Sequence, residues 1–311
     1  MGNRCFFFAA LFMANSVTLI LATTPAHNLS TDVSALLGFK TLISSDPFGV
    51  LASWNSNNSV CNWFGVACNH VNNQRVTVLN LSDSSIGGSI GPQLGDLSFL
   101  TSLDLSYNNF TGFIPTELAN LHALEELNLG YNNISGKIPS WLGALPGLQL
   151  LLLNNNSFAG VIPVSLSNIS KLETLNLEYN LLEGNIPQGI GNLSNLRTLT
   201  LGHNLLTGSL PSSLFNMSFL EEVDLSGNSL SGHLPSDICN GNSKLKGLQL
   251  SSNSIEGTIP AFIYRCRNLE LLSLSYNQFD GSIPRTLGYL TKLKDLHLGG
   301  NNFRGMDSIC L

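Results

Sequence analysis

One phrase of two dozen residues is written ten times in this chain, and that repetition limits the fold more than any other feature. It is clearest in "LETLNLEYNLLEGNIPQGIGNLSN", residues 172–195, whose frame is L-x-x-L-x-L-x-x-N-x-L-x-G-x-I-P-x-x-L-x-x-L-x-x. Copies start at Val76, Leu100, Leu124, Leu148, Leu172, Leu196, Leu220, Leu245, Leu269 and Leu293, and only the step from Leu220 to Leu245 is 25 rather than 24 residues. A single copy cannot bury its leucines alone. Stacked copies can, so the chain is read as a solenoid.

Each frame position has a physical task. The L-x-L portion alternates apolar and polar residues and is read as a short strand with its leucines turned inward. Stacking places these strands side by side in a parallel sheet. The ninth position is Asn in nine copies, from Asn108 to Asn301, and Ser84 in the first. A buried amide there is expected to satisfy backbone groups of its own coil and the next, as a ladder. Gly at position 13 supplies turn freedom, and Ile-Pro after it favours extended backbone. The apolar residue at position 19 (Leu118, Leu142, Leu166, Ile190, Leu214) fills the coil from its opposite wall.

The flanks differ from the coils. Residues 1–26 read as a secretory signal, with Arg4 before an apolar stretch and small residues from Ala22 to Ala26. Residues 28–72 read as a cap: Ser30, Thr31 and Asp32 start a helix, Asp46-Pro47 breaks it, and Trp54, Trp63 and Phe64 supply bulk. The coils then occupy 76–305, the last incomplete, and 306–311 is a non-repeat tail. That tail replaces the x-Ile-Pro phrase with Met306-Asp307-Ser308, which reads as the front part of a longer receptor-like chain.

An extracellular address agrees with the rest. Asn-x-Ser/Thr sequons stand at Asn28, Asn57, Asn80, Asn109, Asn133, Asn155, Asn168, Asn192 and Asn216. Asn80 is the weakest of these, because its strand position is crowded. Asn168, Asn192 and Asn216 repeat every 24 residues and would set a column of sugars along one side. A Cys61–Cys68 bridge would pin the cap. Cys239 and Cys266, in adjacent coils, read as a second bridge or as two buried thiols, and Cys310 has no evident partner. The net charge of −6, with no long basic run, argues against nucleic acid. No stretch after the signal is long and apolar enough to span a bilayer.

"ALLGFK", "DPFGVLASW" and "CNWFGVAC" between Asp32 and Cys68, followed by the repeated G-x-I-P, resemble the cap and consensus of plant extracellular leucine-rich-repeat proteins. "LPSDICNGNSKL" and "IPAFIYRCRNLE" are similar to receptor-like kinase ectodomains of the group containing plant immune receptors. The resemblance implies an α/β leucine-rich-repeat solenoid: a right-handed superhelix with a concave parallel sheet, a convex side of short 3-10 and irregular segments, and a helical N-terminal cap. It also implies a cell-surface or secreted apoplastic protein, in defence or developmental signalling. The partners implied are a peptide or protein ligand and a co-receptor kinase, with no small-molecule cofactor. The family's kinase is absent from this sequence. A secreted inhibitor resembling the polygalacturonase-inhibiting proteins and a structural apoplastic scaffold are the alternatives.

Exposed strand positions map the binding face. Leu150 and Leu152 place apolar side chains where neighbouring coils carry Glu126, Asn128, Thr174 and Asn176. Tyr107, Tyr131, Tyr179 and Tyr276 share one position at the strand's end. Tyr there is either a common filler or part of an apolar and aromatic strip, flanked by Asp104, Glu178, Glu222 and Asp224. For enzyme chemistry the six histidines lack metal-ligand spacing, and no nucleophile elbow, phosphate loop or kinase signature is present.

Overall fold

The computed structural model describes residues 29–69, 74–240 and 244–305. The signal segment, Asn28, the 306–311 tail and Cys310 lie outside the described residues. Within them the chain winds as a solenoid of ten coils, numbered here from the coil at Val76. Each turn contributes to two sheets. The concave sheet has eleven strands, beginning with Val66–Cys68 of the cap and continuing through one strand per coil to Asp295–His297. A second, ten-stranded sheet runs along the flank, from Ile43–Ser45 through coils 1 to 9.

The flank sheet is a finding that the frame concealed. Its strands cover positions 10 to 14 of a coil, as in Leu181–Asn185, where Gly and polar residues dilute the two-residue alternation. Gly136, with φ 86, shows why glycine is held at position 13: a Cβ there would collide with the Phe113 ring. A 3-10 helix follows in coils 1 to 6, 8 and 9, starting after the proline in most of them. Its buried residue, such as Leu118 or Leu142, closes the core opposite the concave leucines.

The asparagine ladder exists, but it reaches backward rather than forward. Asn180 Nδ2 donates to the carbonyls of Leu177 and Glu178 in its own coil and of Leu153 in the preceding one, at 3.0–3.2 Å. Its Oδ1 accepts the N–H of Phe158, also in the preceding coil, at 2.9 Å. The same pattern recurs at each ladder position through Asn301. The direction follows from the chain's path: the amide leaves its strand beside carbonyls already laid down, which that coil cannot otherwise reach.

The cap does more than shield an open end. Two of its strands pair antiparallel with the first strand of each sheet, Val66–Cys68 with Val76–Asn80 and Ile43–Ser45 with Gly87–Ser89. Both parallel sheets thereby lose an open edge. The cap helix runs Leu29–Lys40 and ends well before Asp46-Pro47, because the next residues form that flank strand. Asp46 instead accepts the N–H groups of Val50 and Leu51 at 2.9 and 3.0 Å, capping a 3-10 turn. Asp32 is not merely a helix-start residue. It is fully buried, forms a two-pronged pair with Arg75 at 2.7 and 2.8 Å, and accepts the N–H of Val76, the first residue of coil 1. Trp54 and Trp63 stack within the cap at 5.5 Å, whereas Phe64 is exposed.

Both predicted bridges are formed. Cys61–Cys68 pins the cap, and Cys239–Cys266 joins coils 7 and 8 with Cα atoms 5.2 Å apart, so the thiol alternative falls. In coil 7 the bridge stands at a turn where other coils place a 3-10 helix.

Asp32→Ala would strand a buried guanidinium and should lower stability by about 3–5 kcal/mol in urea unfolding. Asn180→Ala, which orphans buried backbone groups, should cost about 2–3 kcal/mol. The same change at Asn301, in the half-exposed last coil, should cost visibly less.

Candidate binding surface on the concave face

With leucines at frame positions 4 and 6 turned inward, positions 3 and 5 of each concave strand face out. Register is kept from coil to coil. Leu150 lies beside Glu126 and Thr174, and Leu152 beside Asn128 and Asn176, so the two leucines form a half-buried apolar step in a polar floor. Coil 7 contributes Glu222 and Asp224 at the same two positions.

Position 8 has a backbone explanation. Tyr107, Tyr131, Asn155, Tyr179, His203, Ser252 and Tyr276 all have φ between 52 and 57°, the left-handed region, and Gly227 and Gly300 fill the same place. The chain turns there from the concave strand toward the flank. Tyr107 and Tyr131 stack with centroids 4.1 Å apart, and Tyr179 stacks on His203 at 4.3 Å with planes 3° apart. His203 escaped the sequence reading, although its frame position alone identifies it. Tyr276 stands apart, separated from these pairs by Gly227 and Ser252, with its ring over Gly300. The hydrogen bond with Tyr131 pushes the Tyr107 phenol above its usual range.

The acidic residues divide into two kinds. At position 2 they alternate with cations: Arg197 bridges Glu173 and Glu221 at 3.4 and 3.2 Å, Lys246 pairs with Glu221, and Lys294 with Glu270. The partnered Glu221 and Glu270 carboxyls are held below their usual range by those lysines. On the floor, burial pushes Glu178 up, and the Asp224 charge adds to it. Burial likewise raises Glu222. Asp104 and Asp224 each give one oxygen to a local turn, accepting the N–H and hydroxyl of Ser106 and Ser226.

The sequons fall on other surfaces, with two exceptions. Asn168, Asn192 and Asn216 are exposed at the last residue of three successive 3-10 helices, in one line. Asn109 and Asn133 open flank strands, and Asn57 lies in the cap. Asn80 is exposed on the first concave strand, its oxygen engaged by Ser82. Asn155 stands in the tyrosine column itself. Among the described residues no group of three His, Cys, Asp or Glu is arranged to hold a metal, and no helix is long and apolar enough to cross a membrane.

Two parallel sheets, an asparagine ladder and a cysteine-pinned cap define a leucine-rich-repeat solenoid. The leucine-rich repeat region model matches residues 62–308 and the leucine rich repeat N-terminal domain model residues 29–69, and the chain belongs to the leucine-rich-repeat family. A probable receptor-like serine/threonine-protein kinase of Arabidopsis thaliana is 46% identical over 84 residues, which is 27% of this chain and 8% of that protein. The chain thus matches only a small part of the length of such curated relatives. Polygalacturonase inhibitor 2 of the same plant is 39% identical over 88 residues, 27% of this chain and 26% of the inhibitor. Among solved structures, PEPR1 with AtPEP1 superposes with a TM-score of 0.81 at 36% identity, covering 88% of this chain and 42% of that one. A plant ice-binding protein gives 0.80 at 32% identity, covering 90% and 89%.

The raised Glu178 carboxyl yields a signed prediction. A carboxyl whose folded pKa exceeds its unfolded value destabilises the fold when ionised, and stability is regained as pH falls through the folded pKa. Glu178→Gln should therefore raise the melting temperature at pH 7. That advantage over the unmodified chain should shrink as the pH is lowered to about 4; a gap independent of pH would contradict it.

Proposed function

We propose that this chain is the ligand-recognition part of an extracellular plant receptor-like protein or kinase, and that it takes a peptide or protein on its concave face without catalysis of its own. The carrying observation is the left-handed column. An L-residue other than Gly or Asn in that conformation costs roughly 1 kcal/mol, yet four of ten coils hold Tyr and one holds His there. Side chains retained at such a cost, exposed and stacked beside the Leu150–Leu152 step, suit a partner better than they suit the fold. The Arabidopsis receptor kinase HAESA ectodomain, solved in complex with a peptide hormone ligand and similar to this chain with a TM-score of 0.63 at 31% identity over 89% of this chain and 54% of that one, supports a peptide as the ligand. A co-receptor kinase is the second partner of this reading, and the apoplast or outer membrane face its location.

The sugar column fits this reading. Glycans on Asn168, Asn192 and Asn216 would guard the ridge of coils 4 to 6 and leave the sheet open. A glycan on Asn155 would stand on the rim at coil 4 and confine a ligand to the floor, where the two leucines lie.

The inhibitor reading keeps one specific support, the matched segment of a polygalacturonase inhibitor. Ice binding is disfavoured. A crystalline surface needs a repeating array of like side chains, and the outward flank columns here mix Leu181, Leu205, Glu183 and Glu256.

Capture from apoplastic extract separates the readings: a receptor kinase or secreted peptide supports recognition, and a fungal pectinase as the main partner supports inhibition. Leu150→Asp with Leu152→Asp should weaken that capture about tenfold. Undiminished binding by the double variant would remove the floor step from the site.

A further inference from the structure

We infer that the floor of coils 5 to 7 is the seat for a cationic side chain, an arginine or lysine of the peptide ligand, with the Tyr179–His203 stack as its wall. This rests on the recognition reading above and adds the chemistry of what is recognised.

The first argument is the distribution of charge. Frame positions 3 to 8, the outward face of the concave sheet and its turn, hold seven acidic residues across the ten coils and no Lys or Arg. Every concave cation stands at position 2, where Arg197, Lys246 and Lys294 are taken by Glu173, Glu221 and Glu270. The sheet is thus bordered by a neutralised rail and floored by one sign of charge. A floor carrying acids and no Lys or Arg of its own draws and orients cations.

The second argument is local geometry. Three of the seven acids, Glu178, Glu222 and Asp224, fall within coils 5 to 7. The neighbouring coils carry glycine beside them. A Cβ on Gly202 would come within 3.2 Å of Asp224 Oδ1, and one on Gly247 would run into the Glu222 carboxylate. The Glu222 carboxylate therefore lies over bare backbone, and Asp224, beside Gly202, bonds only the serine of its own turn, Ser226, among the described residues. Between Asn176 and Asp224, the Thr200 hydroxyl is buried and has no hydrogen-bond partner among the described residues. Burial holds Glu178 and Glu222 above the usual carboxylate range, although the Lys246 charge pulls Glu222 and the His203 ring pulls Glu178 partly back.

The third argument is the wall. The Tyr179 and His203 rings are parallel, and both residues are exposed at the rim of the same coils. A guanidinium can stack on such a ring while its N–H groups reach a carboxylate, and an ammonium can sit over the ring face. The sequons of these coils, at Asn192 and Asn216, lie on the 3-10 ridge and not on the floor.

The test uses the secreted chain, immobilised, and two synthetic peptide pools of equal length and aromatic content. One pool carries three Arg or Lys, the other three Asp or Glu. Binding is read by interferometry at 0.05 and 0.5 M salt. The cationic pool should be retained, should weaken at high salt, and should lose about tenfold on Glu178→Gln/Glu222→Gln/Asp224→Asn. Thr198→Lys, placed between Thr174 and Glu222 on the floor, should weaken it as well by filling the seat from within. Equal retention by both variants would overturn the seat. Retention of the acidic pool alone would overturn the charge class while leaving peptide recognition standing. Retention of neither pool would overturn both.

Discussion

The interaction on which the rest of the structure depends is the buried asparagine amide that ties each coil to the one before it. A solenoid coil has no core of its own, and its concave strand is only three to five residues long. Leucine burial drives stacking but is indifferent to small shifts of register. The amide is not indifferent. Asn204 must meet the carbonyls of Leu177, Leu201 and Gly202 and the N–H of Leu182 at once, and one register satisfies all four. Because these groups are out of water, a misplaced coil would leave them unpaired at a cost of about 1–3 kcal/mol each. The ladder therefore aligns the outward columns as well as the core. The aromatic pairs and the ion-pair rail exist because position 8 meets position 8 and position 2 meets position 2.

A ladder that reaches backward needs something to reach for in the first coil, and the cap supplies the start. Ser84 stands where the other coils have Asn, so coil 1 cannot tie itself to the cap by the same device. The buried Asp32–Arg75 pair takes over. It joins the cap helix to the residue before coil 1 and fixes the N–H of Val76, while the antiparallel strands of the cap cover both sheet edges. A buried charge pair is weak evidence for stability, since desolvation offsets much of its attraction. Here its worth lies in geometry: two-pronged bonding sets the angle at which the first coil leaves the cap.

Much of this was legible in the sequence, and the limits have physical causes. Leucine spacing gave the solenoid and the concave strands, and the frame placed Leu150 and Leu152 in the register that the structure shows. The flank sheet was not legible, because glycine at position 13 and a small or polar residue at position 12 hide a strand that is held mainly by coil-to-coil backbone pairing. Asp32 looked like a helix-start residue because local pattern cannot reveal a partner 43 residues away. His203 does not stand out by residue type in a column mostly of Tyr, because the property the column shares is a left-handed backbone. Reading columns by frame position would have recovered both His203 and the alternating charges at position 2.

Those two columns show how the fold separates its own needs from those of a partner. Positions 4, 6, 9 and 19 are closed to variation by burial and hydrogen bonding. Position 2 varies in sign but settles its charges internally, coil against coil. Positions 3, 5, 7 and 8 carry lighter obligations: Asp104, Asn176 and Asp224 at position 5 accept from their own turns, Ser102 donates to Glu126 at position 3, and position 8 tolerates a left-handed backbone. Carboxylates without an ion pair among the described residues, a two-leucine step and left-handed aromatic residues accumulate there, each slightly unfavourable in isolation. A surface that is locally suboptimal in three ways, where folding makes its lightest demands, is the place where the recognition reading puts a partner.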